Sequence, residues 1–182
     1  DGNATTYTHD TTTGYVTQTA APATADNSDG SGSRSNITLS RWDTATGWLL
    51  ATVAARGNLA GVTATCTPPA VGCSTYGHDG FGHTTSITDP LGHVSTRAYD
   101  ADQHLVSSTD ADNNTTTYSY DAAGQQTSVT GADATVSRTD YNADGTVADT
   151  IDPLGQTTTY TYDSRGRVTT VTDPLSRVTT YG

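Results

Sequence analysis

Apolar and polar positions alternate with a period of two in short runs. Tyr160-Thr161-Tyr162 and Tyr118-Ser119-Tyr120 are the clearest cases. Residues two apart on a strand share a face, so each run reads as a strand with one aromatic side and one hydroxyl side. Turn residues bound these runs at fixed intervals, and the pattern repeats. Asp152–Thr172 reads DPLGQTTTYTYDSRGRVTTVT, and Asp173 restarts it. Steps of 21 residues back lead to Gly131, Asp110, Asp89 and Pro68, giving five full periods and one cut short at Gly182. Self-similarity at such a period marks a repeat architecture.

Each period carries two turn signals. Asp-Pro-Leu-Gly, at Asp89-Pro90 and Asp152-Pro153, has the residue preferences of a type I turn. The second signal is Tyr-Asp-x-x-Gly. Here Asp can bond the backbone two residues on, and Gly can take a positive φ where the next strand begins. Turns are therefore expected at Asp100–Gln103, Asp121–Gly124, Asn142–Gly145 and Asp163–Gly166. Between them lie paired strands such as 156–162 and 167–172, an antiparallel meander unit. The residue before the turn is His78, Tyr99, Tyr120, Tyr141 or Tyr162, and two residues earlier stand Tyr76, Arg97, Tyr118, Thr139, Tyr160 and Tyr181. This aromatic ladder lines one face; cross-strand packing is its plain role, and a sugar-stacking platform the functional alternative. A second column, Ile87, Ser108, Val129, Thr150 and Val171, is intermittently apolar.

The N-terminal part is looser. Tyr7-Thr8-His9-Asp10 and Arg41-Trp42-Asp43 are divergent copies whose glycines, Gly14 and Gly47, come one residue late. Residues 20–36 read as a long surface loop, with Asp29-Gly30-Ser31-Gly32-Ser33 a flexible stretch. The chain thus divides into divergent repeats with insertions over 1–67 and regular repeats over 68–182.

Composition narrows the class. Hydrophobic residues make up 32% and charged residues 15%, against roughly 45–50% and 25% in ordinary globular domains. Thr is the commonest residue, at 40 of 182, while Lys, Glu and Met are absent. Helix formers are scarce and strand and turn formers abundant, which points to an all-β fold without a thick core. The net charge of −11, with eight scattered Arg, argues against nucleic acid and anionic membrane surfaces. No apolar run approaches the roughly 20 residues of a membrane-spanning helix. The start at Asp1 and the stop in mid-repeat lead us to expect a piece of a longer or processed polypeptide.

Cys66 and Cys73 bracket Thr67-Pro68-Pro69-Ala70-Val71-Gly72, a segment that bends readily. A disulfide closing this short loop is expected, contributing roughly 2–3 kcal/mol through loop-closure entropy and implying an extracytoplasmic setting; two unbonded thiols are the alternative.

The period, with Tyr160-Thr161-Tyr162-Asp163-Ser164-Arg165-Gly166-Arg167-Val168 as its best example, resembles the Rhs/YD-repeat family. The resemblance covers Tyr76–Gly182 well and residues 1–53 loosely. It implies a β-ribbon spiralling into a hollow shell: bacterial toxin complexes and Rhs toxins enclose a toxic domain in such a shell, teneurins use one in adhesion, and bacterial wall-associated proteins carry similar repeats. It therefore implies a structural, non-enzymatic segment of a secreted or cell-surface protein. Its partners would be further repeats of its own chain or identical subunits, with a toxin as cargo. The rival reading is an extracellular fibre or adhesin assembling through strand edges and binding carbohydrate.

No catalytic residue, cofactor or metal site is assigned. The many Asp are explained by turns rather than by a glycosidase dyad, and no Glu is present to act as the acid. Asp152-Pro153-Leu154-Gly155 resembles part of the family's self-cleavage segment, yet an ordinary repeat follows it. Asp110-Ala111-Asp112-Asn113-Asn114 resembles the start of a calcium loop but has Thr115 where that loop needs Gly and Asp121 where it needs Glu. His9, His78, His83, His93 and His104 show no metal-site spacing.

Overall fold

The computed structural model describes residues 5–20, 24–25, 33–34, 36–56 and 72–182. It consists of strands and turns, and no helix occurs among the described residues. The strands are β1 Thr6–His9, β2 Val16–Ala20, β3 Thr24–Ala25, β4 Ser33–Arg34, β5 Asn36–Trp42 and β6 Leu49–Arg56. They continue with β7 Cys73–His78, β8 Thr84–Thr88, β9 Val94–Tyr99, β10 Leu105–Thr109, β11 Thr115–Tyr120 and β12 Gln126–Thr130. The last five are β13 Val136–Tyr141, β14 Val147–Ile151, β15 Thr157–Tyr162, β16 Val168–Thr172 and β17 Val178–Thr180. All but β3 and β4 form one 15-stranded sheet in chain order, β1 at one end and β17 at the other, with no crossover. This is the antiparallel hairpin meander that the 21-residue period predicts. The strands begin at Thr157 and Val168, one residue later than the period suggests.

The expected loop over 20–36 holds a short hairpin instead, β3 pairing with β4 through Thr24↔Arg34 and Ala25↔Ser33. The stretch around Asp29 lies outside the described residues, as does Cys66. The chain separates into two compact units, 1–96 and 97–182.

The aromatic column that begins at Tyr76 and the intermittently apolar column that begins at Ile87 are cross-strand partners. Tyr76 faces Ile87, Tyr118 faces Val129 and Tyr160 faces Val171. Where the Tyr is lost its partner is polar as well, as in Thr139↔Thr150. An aromatic ring over a β-branched partner is among the better cross-strand pairs, worth roughly 0.2–1 kcal/mol. The faces differ in burial accordingly: in β11, Thr116, Tyr118 and Tyr120 are half-buried, while Thr115, Thr117 and Ser119 are exposed. A single layer can bury little more. Among the described residues only Ala51 and Val53 of β6 and Cys73 of β7 are buried. Val53 and Cys73 are direct partners.

Candidate functional site

The turns hold most of the carboxylates and all of the histidines but His9 and His78. From Asp79 onward each turn follows one pattern. The fourth residue's N–H donates to the first residue's carbonyl, and the first residue's N–H donates to the carbonyl of the fifth, as in Gly124→Asp121 and Asp121→Gln125 at 3.1 and 3.0 Å. The fourth residue lies in the left-handed region: Gly82, Gly92, Gly124, Gly145, Gly155 and Gly166, but also Gln103, Asn113, Ala134 and Ser176. This is the three-residue hairpin with a type I turn and a G1 bulge. At Asp10 and Asp43 the first hydrogen bond comes from the fifth residue, Gly14 or Gly47, which makes those turns one residue longer.

The turn carboxylates are engaged by their own backbone. Oδ1 of Asp100, Asp121 and Asp163 each accepts the N–H groups two and four residues on. Asp89 and Asp152 do the same, beside Pro90 and Pro153. Oδ2 then takes the side chain at the fifth position: His83, His93, His104, Asn114, Arg167 or Arg177. The spacing Asp-x-x-x-His was in the sequence as the signal for this, and column reasoning missed it. Where the first residue is Asn142 or Gly131, the acid moves two places on, and Asp144 or Asp133 binds Thr146 or Thr135. The backbone N–H of His104, ahead of its ring, holds Asp100 below the ordinary carboxylate value. The backbone N–H groups of Arg167 and Arg165 lower Asp163 likewise. At Asp79 partial desolvation pushes upward, and the hydrogen bonds from His83 and Phe81 together outweigh it, leaving the carboxyl below its ordinary value.

The candidate calcium residues fall into this scheme. Both oxygens of Asp110 accept N–H groups, from Asp112, from the Asn114 backbone and from its amide. No cluster of metal-ligating side chains occurs among the described residues.

The position before the turn stitches neighbouring hairpins together. Tyr120 and Tyr141 donate their hydroxyls to the carbonyls of Leu105 and Gln126, at 2.9 and 3.0 Å. Trp42 Nε1 donates to Val16 O at 2.7 Å, and His78 Nε2 to Leu49 O at 2.7 Å. Each acceptor opens the returning strand of the preceding hairpin. What this column requires is a ring with a donor at its tip, which Tyr, Trp and neutral His all supply. Tyr162 occupies the same bulge position, and Tyr99 closes β9.

A second contact joins successive turns. The Tyr15 hydroxyl lies where a Cβ on Gly47 would sit, Trp48 Nε1 is 2.9 Å from that point on Gly82, and His104 Nε2 is 2.9 Å from it on Gly124. Gln125 Nε2 donates to Gly145 O at 3.0 Å. His104 also stacks on Tyr120, with centroids 4.7 Å apart. The clefts between successive turns are lined by these groups. One, of about 370 Å³, lies between the Asp10 and Asp43 turns; another, of about 600 Å³, lies between the Asp100 and Asp121 turns.

These features define a protein built from repeated β-hairpins whose conspicuous side chains serve the hairpins themselves. The RHS Repeat family matches residues 78–112, 99–136 and 141–179, together more than half of the chain, and the chain belongs to that family. No curated protein matches significantly in sequence. Among solved structures, the TcdB2-TccC3-TEV crystal structure matches with a TM-score of 0.60 and 20% identity, over 88% of this chain and 9% of its own. The Photorhabdus luminescens Tc holotoxin pore and the TcdB2-TccC3 crystal structure each match with a TM-score of 0.52 and 16% identity, over 93% of this chain and 10% of their own. The chain thus spans about a tenth of the length of these structures, and at this identity the likeness is one of fold.

Proposed function

We propose that this chain is a wall segment of a secreted YD-repeat protein, in which the hairpin array encloses a toxin or other cargo and carries no catalytic site. The observation that carries the reading is the use of the turn carboxylates. Asp79, Asp89, Asp100, Asp110, Asp121, Asp152, Asp163 and Asp173 each accept two backbone N–H groups of their own turn. These carboxylates, which could do acid–base chemistry, build turns instead. Membership of the RHS repeat family and a fold shared with toxin-complex structures support the same role. Its partners are then further repeats of its own chain or identical subunits, and its place is outside the cytoplasm.

The Cys66–Cys73 link belongs to this reading. Cys73 is fully buried at the start of β7, and no described cysteine is a free thiol. Intact-mass measurement without reductant tests the link: a mass two hydrogens below the reduced chain is expected, and reaction of both residues with a thiol reagent counts against it.

The decisive experiment is electron cryo-microscopy of the natural polypeptide that carries these repeats, with proteolysis of the same sample. A closed wall of hairpins holding protease-resistant material is expected. Open filaments joined through strand edges would overturn the reading in favour of a fibre or adhesin.

A further inference from the structure

We propose that the β13–β14 hairpin, residues 136–151, is a built-in opening point of the sheet, a segment that unpairs while the hairpins on either side stay formed. Three observations meet there. The first is the loss of a cross-strand anchor. Where β7–β8, β11–β12 and β15–β16 each pair a Tyr with a β-branched apolar residue, β13–β14 pairs Thr139 with Thr150. A cleft of about 310 Å³, with Ser137, Thr139, Thr150 and Thr158 in its lining, occupies this part of the sheet.

The second is a repulsive pair. Asp140 and Asp149 stand directly opposite each other, whereas the equivalent pairs are Gly77↔Ser86, Ser119↔Ser128 and Thr161↔Thr170. Like charges facing across a ladder destabilise it. Asp149 accepts the Thr159 hydroxyl, but neither carboxylate has an ion-pair partner among the described residues. The third is in the turns. From Asp79 onward the first-position Asp is replaced only at Gly131 and Asn142, and these two turns bound β13 on either side. In each, the displaced carboxylate, Asp133 or Asp144, accepts one backbone N–H, where Asp121 and Asp163 accept two.

Each strand of the large sheet is bonded only to its neighbours in the chain. The stability of such an array is close to a sum of local terms, so a weak hairpin is not reinforced from elsewhere and opens by itself. The Tyr141 hydroxyl, bonded to Gln126 O, still ties one end of β13 to β12 and guides it back into register. Opening frees the facing edges of β12 and β15. In a wall, this is a place that parts without the rest coming apart. The weakness itself follows from this chain's own residues and does not rest on the wall reading.

Hydrogen–deuterium exchange of the natural polypeptide that carries these repeats, resolved by peptide mass spectrometry and corrected for intrinsic rates, tests the proposal. Protection over 136–151 should be lower than over 115–130 and 157–172 by about tenfold or more. Thr139→Tyr with Thr150→Val installs the missing pair and should bring protection to within about threefold of the neighbours. Asp140→Asn should raise it several-fold, and high salt should do the same in the parent by screening the facing carboxylates. Conversely, Tyr118→Thr with Val129→Thr should make 115–130 exchange as readily as 136–151, which decides the matter should the installed pair fail to fold. Equal protection across the three hairpins, no gain from the installed pair in a folded variant, or no local loss in the converse variant would each overturn the proposal.

Discussion

The two compact units build the same hairpin in different ways. Residues 1–96 include the three buried side chains and use longer turns at Asp10 and Asp43, with Tyr15 and Trp48 laid against the following glycines. Residues 97–182 bury no described side chain, yet keep a regularly repeating register through eight turns of one pattern, from Asp100 to Asp173. The first unit is held partly by packing. The second is held by hydrogen bonds and by half-buried cross-strand pairs. A repeat fold can therefore do without a core where the turn chemistry is complete, and can relax the turn where aromatic packing substitutes for it.

The largest effect should come from attacking the packing. Ala51 is fully buried, so Ala51→Asp places a charge where it has no partner. Such a change costs about 3 kcal/mol or more. In urea, the transition reported by tryptophan fluorescence should move to much lower concentration, both indoles lying in this unit. A shift no larger than that of an exposed substitution would show that the three-residue core does not hold the first unit.

The turn glycines offer a finer comparison inside the second unit. Gly124 and Gly166 both have positive φ, +79° and +75°. Alanine in that conformation costs roughly 1–2 kcal/mol. At Gly166 nothing lies within reach of the new Cβ, whereas at Gly124 it meets His104 Nε2 at 2.9 Å. Gly124→Ala should therefore be the more destabilising by about 1 kcal/mol, as displacing the ring also disturbs its stack on Tyr120. Equal urea midpoints for the two variants would mean that the ring gives way freely.

Much of this was legible in the sequence. The period fixed the strand order, and Asp and Gly at their offsets fixed the turns, because each residue type there has a backbone reason. The apolar columns were visible, but their mutual pairing needs a register that a one-dimensional pattern does not state. Trp42 and His78 stand where other repeats have Tyr. They become equivalents only when the acceptor carbonyl opposite is known. The Asp-x-x-x-His spacing is present three times, but metal-site spacing sets histidines near one another, whereas here a carboxylate stands beside each. The clefts could not be read at all, since they join turns one hairpin apart.

A subtler effect follows from the stitching bond. Tyr120→Phe keeps the ring but removes the donor to Leu105 O. A typical hydrogen bond contributes about 0.5–1.5 kcal/mol, and the variant should lose about that much in equilibrium urea unfolding. Retention of the full stability would assign the column to packing alone.

Acid titration weighs the turn chemistry of both units together. Backbone donors, first Thr13 for Asp10 and first Thr46 for Asp43, lower those carboxyls from 3.8, and Asp100, Asp163 and Asp173 are lowered in the same way by the residue at their fifth position. A carboxyl whose folded pKa is depressed stabilises the fold above its unfolded value and loses that contribution as pH falls through the folded value. The urea midpoint should be flat above pH of about 5 and decline below about 4. Asp163→Asn should flatten the decline slightly. A midpoint that rises on acidification would contradict the turn assignment, because repulsion among the acids would then outweigh their hydrogen bonds.

The smallest effect is expected at the turn tips. Leu154 and Leu175 occupy the same place in successive Asp-Pro-Leu turns and are 82% and 72% exposed. Their N–H groups are bonded to Asp152 and Asp173, but these bonds belong to the backbone and persist whatever the side chain. Replacing both by Gln removes apolar surface already in water, so the change in stability should stay within about 0.5 kcal/mol. The double variant, measured by urea unfolding and by sedimentation at several concentrations, discriminates sharply. An unchanged midpoint with unchanged mass places the tips in solvent. A clear loss of stability that grows with protein concentration would instead reveal that the leucines are covered by another copy of the chain, and the second unit would then owe part of its order to packing after all.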